Sequence, residues 1–385
     1  MVQNLTCPSS SANANNTLGF NPTRLIFARN RRGLKKTELA KKIGVTARSI
    51  AGYESGAFPP DLDKVDAISS LLKFPKAFFY SDETIELLDS QAVSFRAITK
   101  MSATLKNIAL GSGAIAVLLN GWVESKFRLP EPDLPELGRD IDPETAAEAL
   151  RKYWNLGMLP INNMVHLLEA KGVRVFSLSI DTQEIDAFSM WQDGTPYAFL
   201  NTLKSAERSR FDAAHELGHL VMHRHGQPHG LEAEKEADAF ASAFLMPAKS
   251  ILATRLEFPT LDSLIKLKKH WAVSVAALNY RLRFLGMTSE WINRSLCIQI
   301  AQAGFRSAEP QSIARETSQI LEKVFAALRL EGVSKSDVAR QLQLSTYEID
   351  ELTYGLLKIG SVPDHSNSKA SISQKRMRPN LSIVK

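Results

Sequence analysis

Residues 210–226 read RFDAAHELGHLVMHRHG, and the spacing inside that run is the strongest constraint in the chain. His215 and His219 stand four residues apart, so their side chains share a face only if the stretch is an α-helix. The surrounding pattern agrees. Leu217, Leu220 and Val221 form an apolar stripe, and the two histidines fall on roughly the opposite side of the helical wheel. Two imidazoles at this spacing can serve one metal ion, and Glu216 lies beside them where a general base for water is required. Polar residues opposite a Leu/Val stripe are equally what an ordinary surface helix shows.

A further protein ligand decides between these readings. Downstream, LEAEKEADAFASAFLMP (residues 231–247) places Ala237, Phe240, Ala241 and Phe244 on one helical stripe whose small residues allow close helix approach. Glu234 and Asp238, one turn apart, flank it. Carboxylates at the rim of a buried face are costly without a compensating cation or donor. A Zn²⁺ ion held by His215, His219 and Glu234, with Asp238 accepting the free N–H of a ligand histidine, removes that cost. His225 competes for the third place, six residues after His219, but Met222 stands where the longer zinc signature needs a helix-breaking glycine. Glu234 is therefore preferred. His223, His225 and His229 read as exposed residues near a helix end. A cation with one coordination position open activates water, and Glu216 then handles its proton.

RFDAAHELGHLVMH followed by EKEADAFASAFLMP resembles the ImmA/IrrE family of zinc metallopeptidases, and the lead-in DAFSMWQDGTPYAFLNTLKSAERSRFDAAHELGHL is similar to that family's strand-then-helix entry. The likeness covers roughly residues 150–250. It implies His215, His219 and Glu234 as ligands and Glu216 as catalytic acid/base. It implies too that PYAFLN (196–201) is a sheet edge along which a substrate peptide lies as an added strand. A further implication is a protein substrate of the repressor type, cut in response to stress or a mobile-element signal.

Charge is concentrated near the start of the chain. Nine basic residues (Arg24, Arg29, Arg31, Arg32, Lys35, Lys36, Lys41, Lys42, Arg48) face one acid, Glu38, between positions 24 and 48. Short helices are predicted near Pro22–Arg32, over KKTELAKKIG with Gly44 as its stop, over VTARSIAGYESG with Thr46 as N-cap, and over DLDKVDAISSLLK. Two short helices about the tight turn at Gly44-Val45 describe a helix-turn-helix. The segment resembles the Cro/repressor-type (XRE-like) DNA-binding domain over about residues 20–80, with Ala40, Gly44, Val45, Ile50, Tyr53, Glu54 and Gly56 at framework positions. That likeness implies a recognition helix from Thr46 to Tyr53 in the major groove of double-stranded DNA. Ala47, Arg48, Ser49 and Gly52 would face outward, and Arg31, Arg32, Lys35 and Lys36 would meet phosphates. Lys36 departs from the family's usual Gln: an ammonium holds phosphate but cannot make an amide's bidentate contact with adenine.

The rest of the chain is less specific. Its 385 residues suffice for two or three domains, and its 44% hydrophobic and 23% charged content is that of a soluble globular protein. Two cysteines, Cys7 and Cys297, leave no disulfide framework, which suits a cytoplasmic protein. The polar start lacks the features of a signal peptide. The most apolar run, residues 108–122, is too short to span a bilayer and reads as a buried helix. The only convincing strands are GVRVFSLSI, AFSMWQ and PYAFLN. Two segments after Pro247, 264–286 and 332–356, look helix-turn-helix-like without a basic face, and are expected to serve packing or a homodimer contact.

The expected fold is mainly α with a small sheet (α+β): an N-terminal helix-turn-helix bundle joined to a zincin-like metallopeptidase domain and a helical C-terminal region. The expected division is a disordered tail over 1–18, the DNA-binding domain over 19–80, a helical linker over 81–145, the peptidase over 146–300, helices over 301–362 and a disordered basic tail over 363–385. The function read from this is a DNA-binding regulator fused to a zinc endopeptidase. The alternatives are a transcriptional regulator with a structural or sensory metal site and an antitoxin-like binding protein. Glu216 separates the first from the second, because a structural zinc needs no carboxylate beside its ligands.

Overall fold

The computed structural model describes residues 19–85, 87–88, 93–95, 102–178, 187–224, 230–256, 258–357 and 382–383. The N-terminal bundle consists of α1 (Pro22–Arg31), α2 (Lys36–Ile43), α3 (Ala47–Ser55) and α4 (Leu62–Leu72). Its turns follow from local chemistry. The Asn21 side chain caps α1, with Pro22 at the first helical position. Gly44 takes φ +67°, the left-handed conformation that ends α2, and Thr46 Oγ1 accepts from the Ser49 amide to start α3. Leu25, Leu39, Ile50 and Ile68 are fully buried between these helices.

The bundle leads through β1 (Val93–Phe95) to α5 (Ala103–Glu124) and β2 (Phe127–Arg128). The apolar run read from sequence forms the middle of α5, a helix long and apolar enough to cross a membrane. Over half of its apolar window is buried inside the protein, and α1 packs on it. Then follow α6 (Pro143–Tyr153), α7 (Met164–Ala170), β3 (Arg174–Ser177), β4 (Ala187–Gln192), β5 (Thr195–Leu200), α8 (Ala206–Met222), α9 (Leu231–Leu245) and α10 (Ala248–Leu252).

The sheet order is β1-β4-β5-β3. β4 pairs antiparallel with both β1 and β5, and β5 runs parallel to β3. Asp193 and Gly194 between β4 and β5 both have positive φ, the geometry of a tight hairpin turn whose twist matches the strands. This arrangement corrects the expectation that PYAFLN is a sheet edge. β5 is paired on both sides, because the parallel crossover from β3 delivers that earlier strand to its far flank. α8 lies across β4 and β5, and α9 packs on α8. Gly218 makes that last approach close: a Cβ there would sit 3.0 Å from the Phe240 ring and 3.4 Å from the Ala237 Cα.

The chain continues through α11 (Leu261–Trp271), α12 (Val275–Phe284), α13 (Glu290–Gln302), α14 (Gln319–Leu330), α15 (Lys335–Gln341), α16 (Thr346–Thr353) and β6 (Ser382–Ile383). Buried carboxylates join these helices to the rest. Glu316 accepts from the Met164 and Val165 amides at the start of α7, and Glu169 accepts from the Gln319 and Ile320 amides at the start of α14. Each thereby satisfies orphan N–H groups and meets the positive end of a helix dipole. The helix pairs α11/α12 and α15/α16 occupy the two segments expected to look helix-turn-helix-like. α16 packs within the chain against α5 and β3. Ser382–Ile383 pairs with β2, which corrects the expectation of disorder at those two positions. The predicted disordered tail over 1–18 lies outside the described residues, as does the remainder of 363–385.

Candidate metal centre and nucleic-acid face

α8 and α9 bring His215, His219 and Glu234 together. The two Nε2 atoms are 3.1 Å apart, and the Glu234 oxygens lie 3.3 Å from His215 Nε2 and 3.4 Å from His219 Nε2. One ligand atom from each residue falls within 4.8 Å of the others. Two tetrahedral ligands about 2.0–2.1 Å from one zinc ion are about 3.3 Å apart, so the spacing fits a shared ion of that size. Neither Glu234 oxygen has a hydrogen-bond partner, although both are buried. Such a carboxylate needs a cation.

The flanking bonds set the imidazole tautomers. His215 Nδ1 lies 2.9 Å from Asp238 Oδ1, so its N–H donates to that carboxylate and its Nε2 lone pair faces the cluster. On the other ring the chain is longer. Glu236 lies 2.8 Å from His223 Nε2 and accepts its proton, and a bidentate contact from Arg139 holds Glu236 in place. That leaves the His223 Nδ1 lone pair to accept from His219 Nδ1–H at 2.9 Å, and turns the His219 Nε2 lone pair inward. Both Nε2 atoms therefore face the same point, where a cation would meet a lone pair on each.

Electrostatics follow the same layout. Burial drives the His215 pKa down, but Asp238, Glu234 and the nearby charge on Glu216 overcome it and raise it to about 9. Burial prevails for His219, which falls to about 4. For Glu234 burial acts upward, yet the two imidazoles outweigh it and hold the carboxyl at about 2. Glu216 is buried one position along α8, and its Oε2 accepts from the Ser189 hydroxyl of β4 at 2.6 Å. The histidine face of α8 is buried beneath α9 and is not the face of an ordinary surface helix.

Residues 168–283 match the sequence profile of the IrrE N-terminal-like domain, and residues 25–79 match that of a helix-turn-helix. The chain joins a DNA-binding helix-turn-helix to an IrrE-type metallopeptidase domain. No curated protein matches it. The IrrE-type segment runs from the end of α7 into α12 and includes all three clustered residues together with Glu216 and Asp238.

Sequence reasoning missed part of this centre. His223 is 2% exposed, not the exposed residue expected, and the signal for it was its place four residues beyond His219 on the same helix face. Ser189 and Glu236 carried no signal of their own. His225 and His229 lie outside the described residues.

The helix-turn-helix requires a larger correction. Arg31 and Arg32, expected to meet phosphates, instead share the fully buried carboxylate of Glu348 on α16. Arg32 also donates to the Leu72 carbonyl and stacks over Phe74 and Tyr347. Arg24 and Arg29 are buried too, the latter against Glu54. The basic residues of α1 are internal because a helix that must pack on α3 and α5 turns its long side chains into those seams. Lys35, Lys41, Lys42, Thr46, Ala47 and Arg48 are exposed, and Ser49 is half-buried, bonded to Thr46. Lys36 is half-exposed and pairs with Glu54 at 2.9 Å. Gly52 is half-buried, and a Cβ there would meet the Phe58 ring at 2.4 Å.

Three outcomes are expected. His223→Phe and Asp238→Asn each weaken zinc affinity about 10–100-fold in competition with a chromophoric chelator, since each removes a group that fixes a ligand tautomer. Arg48→Ala reduces the slope of log affinity for double-stranded DNA against log salt by about one. Arg31→Ala leaves that slope unchanged and lowers stability to denaturant by about 3–5 kcal/mol, the cost of breaking a buried ion pair.

Proposed function

We propose that the IrrE-type domain is a zinc-dependent endopeptidase that cuts a repressor-type regulatory protein, and that the helix-turn-helix holds the enzyme at DNA in the cytoplasm. The reading rests on one observation: Nε2 of His215, Nε2 of His219 and the buried oxygens of Glu234 meet at one point, with a second carboxylate, Glu216, adjacent. A zinc ion bound there would supply Lewis acidity to a water and to the carbonyl of the scissile peptide bond. His215, His219 and Glu234 would hold that ion. Glu216 takes the proton of the attacking water and delivers it to the leaving amine. The Ser189 hydroxyl orients the carboxylate by donating to its Oε2. Asp238 and the His223–Glu236 pair keep the ligand protons on the Nδ1 side.

A purely structural or sensory metal site accounts for the three ligands but not for Glu216. A carboxylate buried beside the ligands and aligned by a serine is a cost that a structural site has no reason to bear. DNA binding and proteolysis in one chain suit a substrate that is itself held at an operator.

The test uses the zinc-loaded full chain with a candidate repressor, followed by electrophoresis and mass spectrometry. Cleavage at a defined bond should disappear with a chelator and return with zinc. Glu216→Gln should cut about 10²–10⁴-fold more slowly while binding zinc and DNA normally. Equal cleavage by Glu216→Gln and the parent would refute the role given to Glu216.

A further inference from the structure

The sheet has two edges. β3 lies at one, packed against α7 and α16, away from the metal centre. The other is the outer side of β4, the strand tied to the ligand-bearing helix. Ser189 bonds to Glu216, and Trp191, two residues on and hence on the same strand face, donates its indole N–H to the Leu220 carbonyl one helical turn further along α8. β4 thus runs alongside α8 past Glu216, and a peptide pairing with its outer edge would lie one strand from the serine that holds that carboxylate. In this structure the chain itself takes that place. Val93, Ser94 and Phe95 pair antiparallel with Met190, Ser189 and Phe188, so the central pair stands opposite the serine that holds Glu216.

We propose that residues 93–95 are a tethered competitor: a segment of the chain between the helix-turn-helix and α5 that occupies the outer edge of β4 and must leave before an extended substrate peptide can pair there. This deepens the peptidase reading and rests on it for the identity of the incoming strand. Three features support it. First, among the described residues β1 makes three register pairs with β4, against six between β4 and β5. An extended peptide pairing along all of β4 forms more main-chain hydrogen bonds than residues 93–95 do. Second, recognition by strand addition is carried by main-chain groups, so the occupant need not match the substrate's sequence. Third, a short tether acts at an effective concentration on the order of millimolar, enough for a weak strand to hold the edge against dilute peptide. The substrate class is therefore a protein segment that can become extended over more than three residues.

The test reads binding and exchange, not hydrolysis, so it can fail while proteolysis stands. Successive N–H groups alternate sides along a strand, so the double variant Val93→Pro/Ser94→Pro removes the one facing β4 whichever it is. A second variant, Val93→Gly/Ser94→Gly/Phe95→Gly, weakens the strand without proline. The probe is the fluorescein-labelled nonapeptide SQAVSFRAI, residues 90–98 of this chain, added to full-length protein with chelator present. Both variants should bind it at least tenfold more tightly than the parent by fluorescence anisotropy. Amide hydrogen exchange at 188–190 should be at least tenfold faster in the variants and slow again when the peptide is added. Equal binding to parent and variants, binding to none of them, or unchanged exchange at 188–190 would overturn the proposal.

Discussion

Everything at the centre depends on where two protons sit. A histidine can offer a lone pair from Nε2 only if its proton is on Nδ1, and each ring here has a partner that keeps it there. Asp238 does so directly for His215, and Glu236 does so through His223 for His219. Without those partners, two imidazole nitrogens 3.1 Å apart would settle on one shared proton and close the site to a metal. The remaining elements of the domain serve that arrangement. α9 carries Glu234, Glu236 and Asp238 within little more than one turn. Gly218 lets α9 approach α8 closely enough for those side chains to reach. β4 supplies the serine that fixes Glu216.

The same logic of buried charge, used differently, organises the rest of the chain. Glu348, Glu316 and Glu169 each sit where a helix from one part of the sequence meets another more than a hundred residues away. A buried carboxylate is tolerated only with guanidinium or amide donors around it, so these acids fix which helices meet. Glu348 in particular attaches α1 of the helix-turn-helix to α16. The DNA-binding bundle is therefore packed against the body of the protein, and its outward charge is carried by α2 and the start of α3.

What could be read from sequence follows the range of the interactions. His215, Glu216 and His219 declare themselves because their spacing is local and matches the helical period. Glu234 and Asp238 could be inferred because two acids at the rim of an apolar stripe require a partner. The turns of the helix-turn-helix were legible for the same reason, since Gly44 and Thr46 act on their immediate neighbours. The failures lie at long range. Arg31 and Arg32 look like phosphate contacts until Glu348, more than three hundred residues later, arrives beside them. PYAFLN looks like an edge because strand order is not written in any one strand. β1 escapes notice because three residues carry no periodicity, and His223 because a residue beyond the motif reads as a helix end.

The most direct test of the central claim is X-ray absorption at the zinc edge on full-length protein loaded with one equivalent of zinc. Convergence of the three side chains requires two imidazole nitrogens and one carboxylate oxygen at about 2.0–2.2 Å, with the remaining position filled by a light atom from solvent. A spectrum requiring a single imidazole, or a protein that retains no zinc after gel filtration, would contradict it.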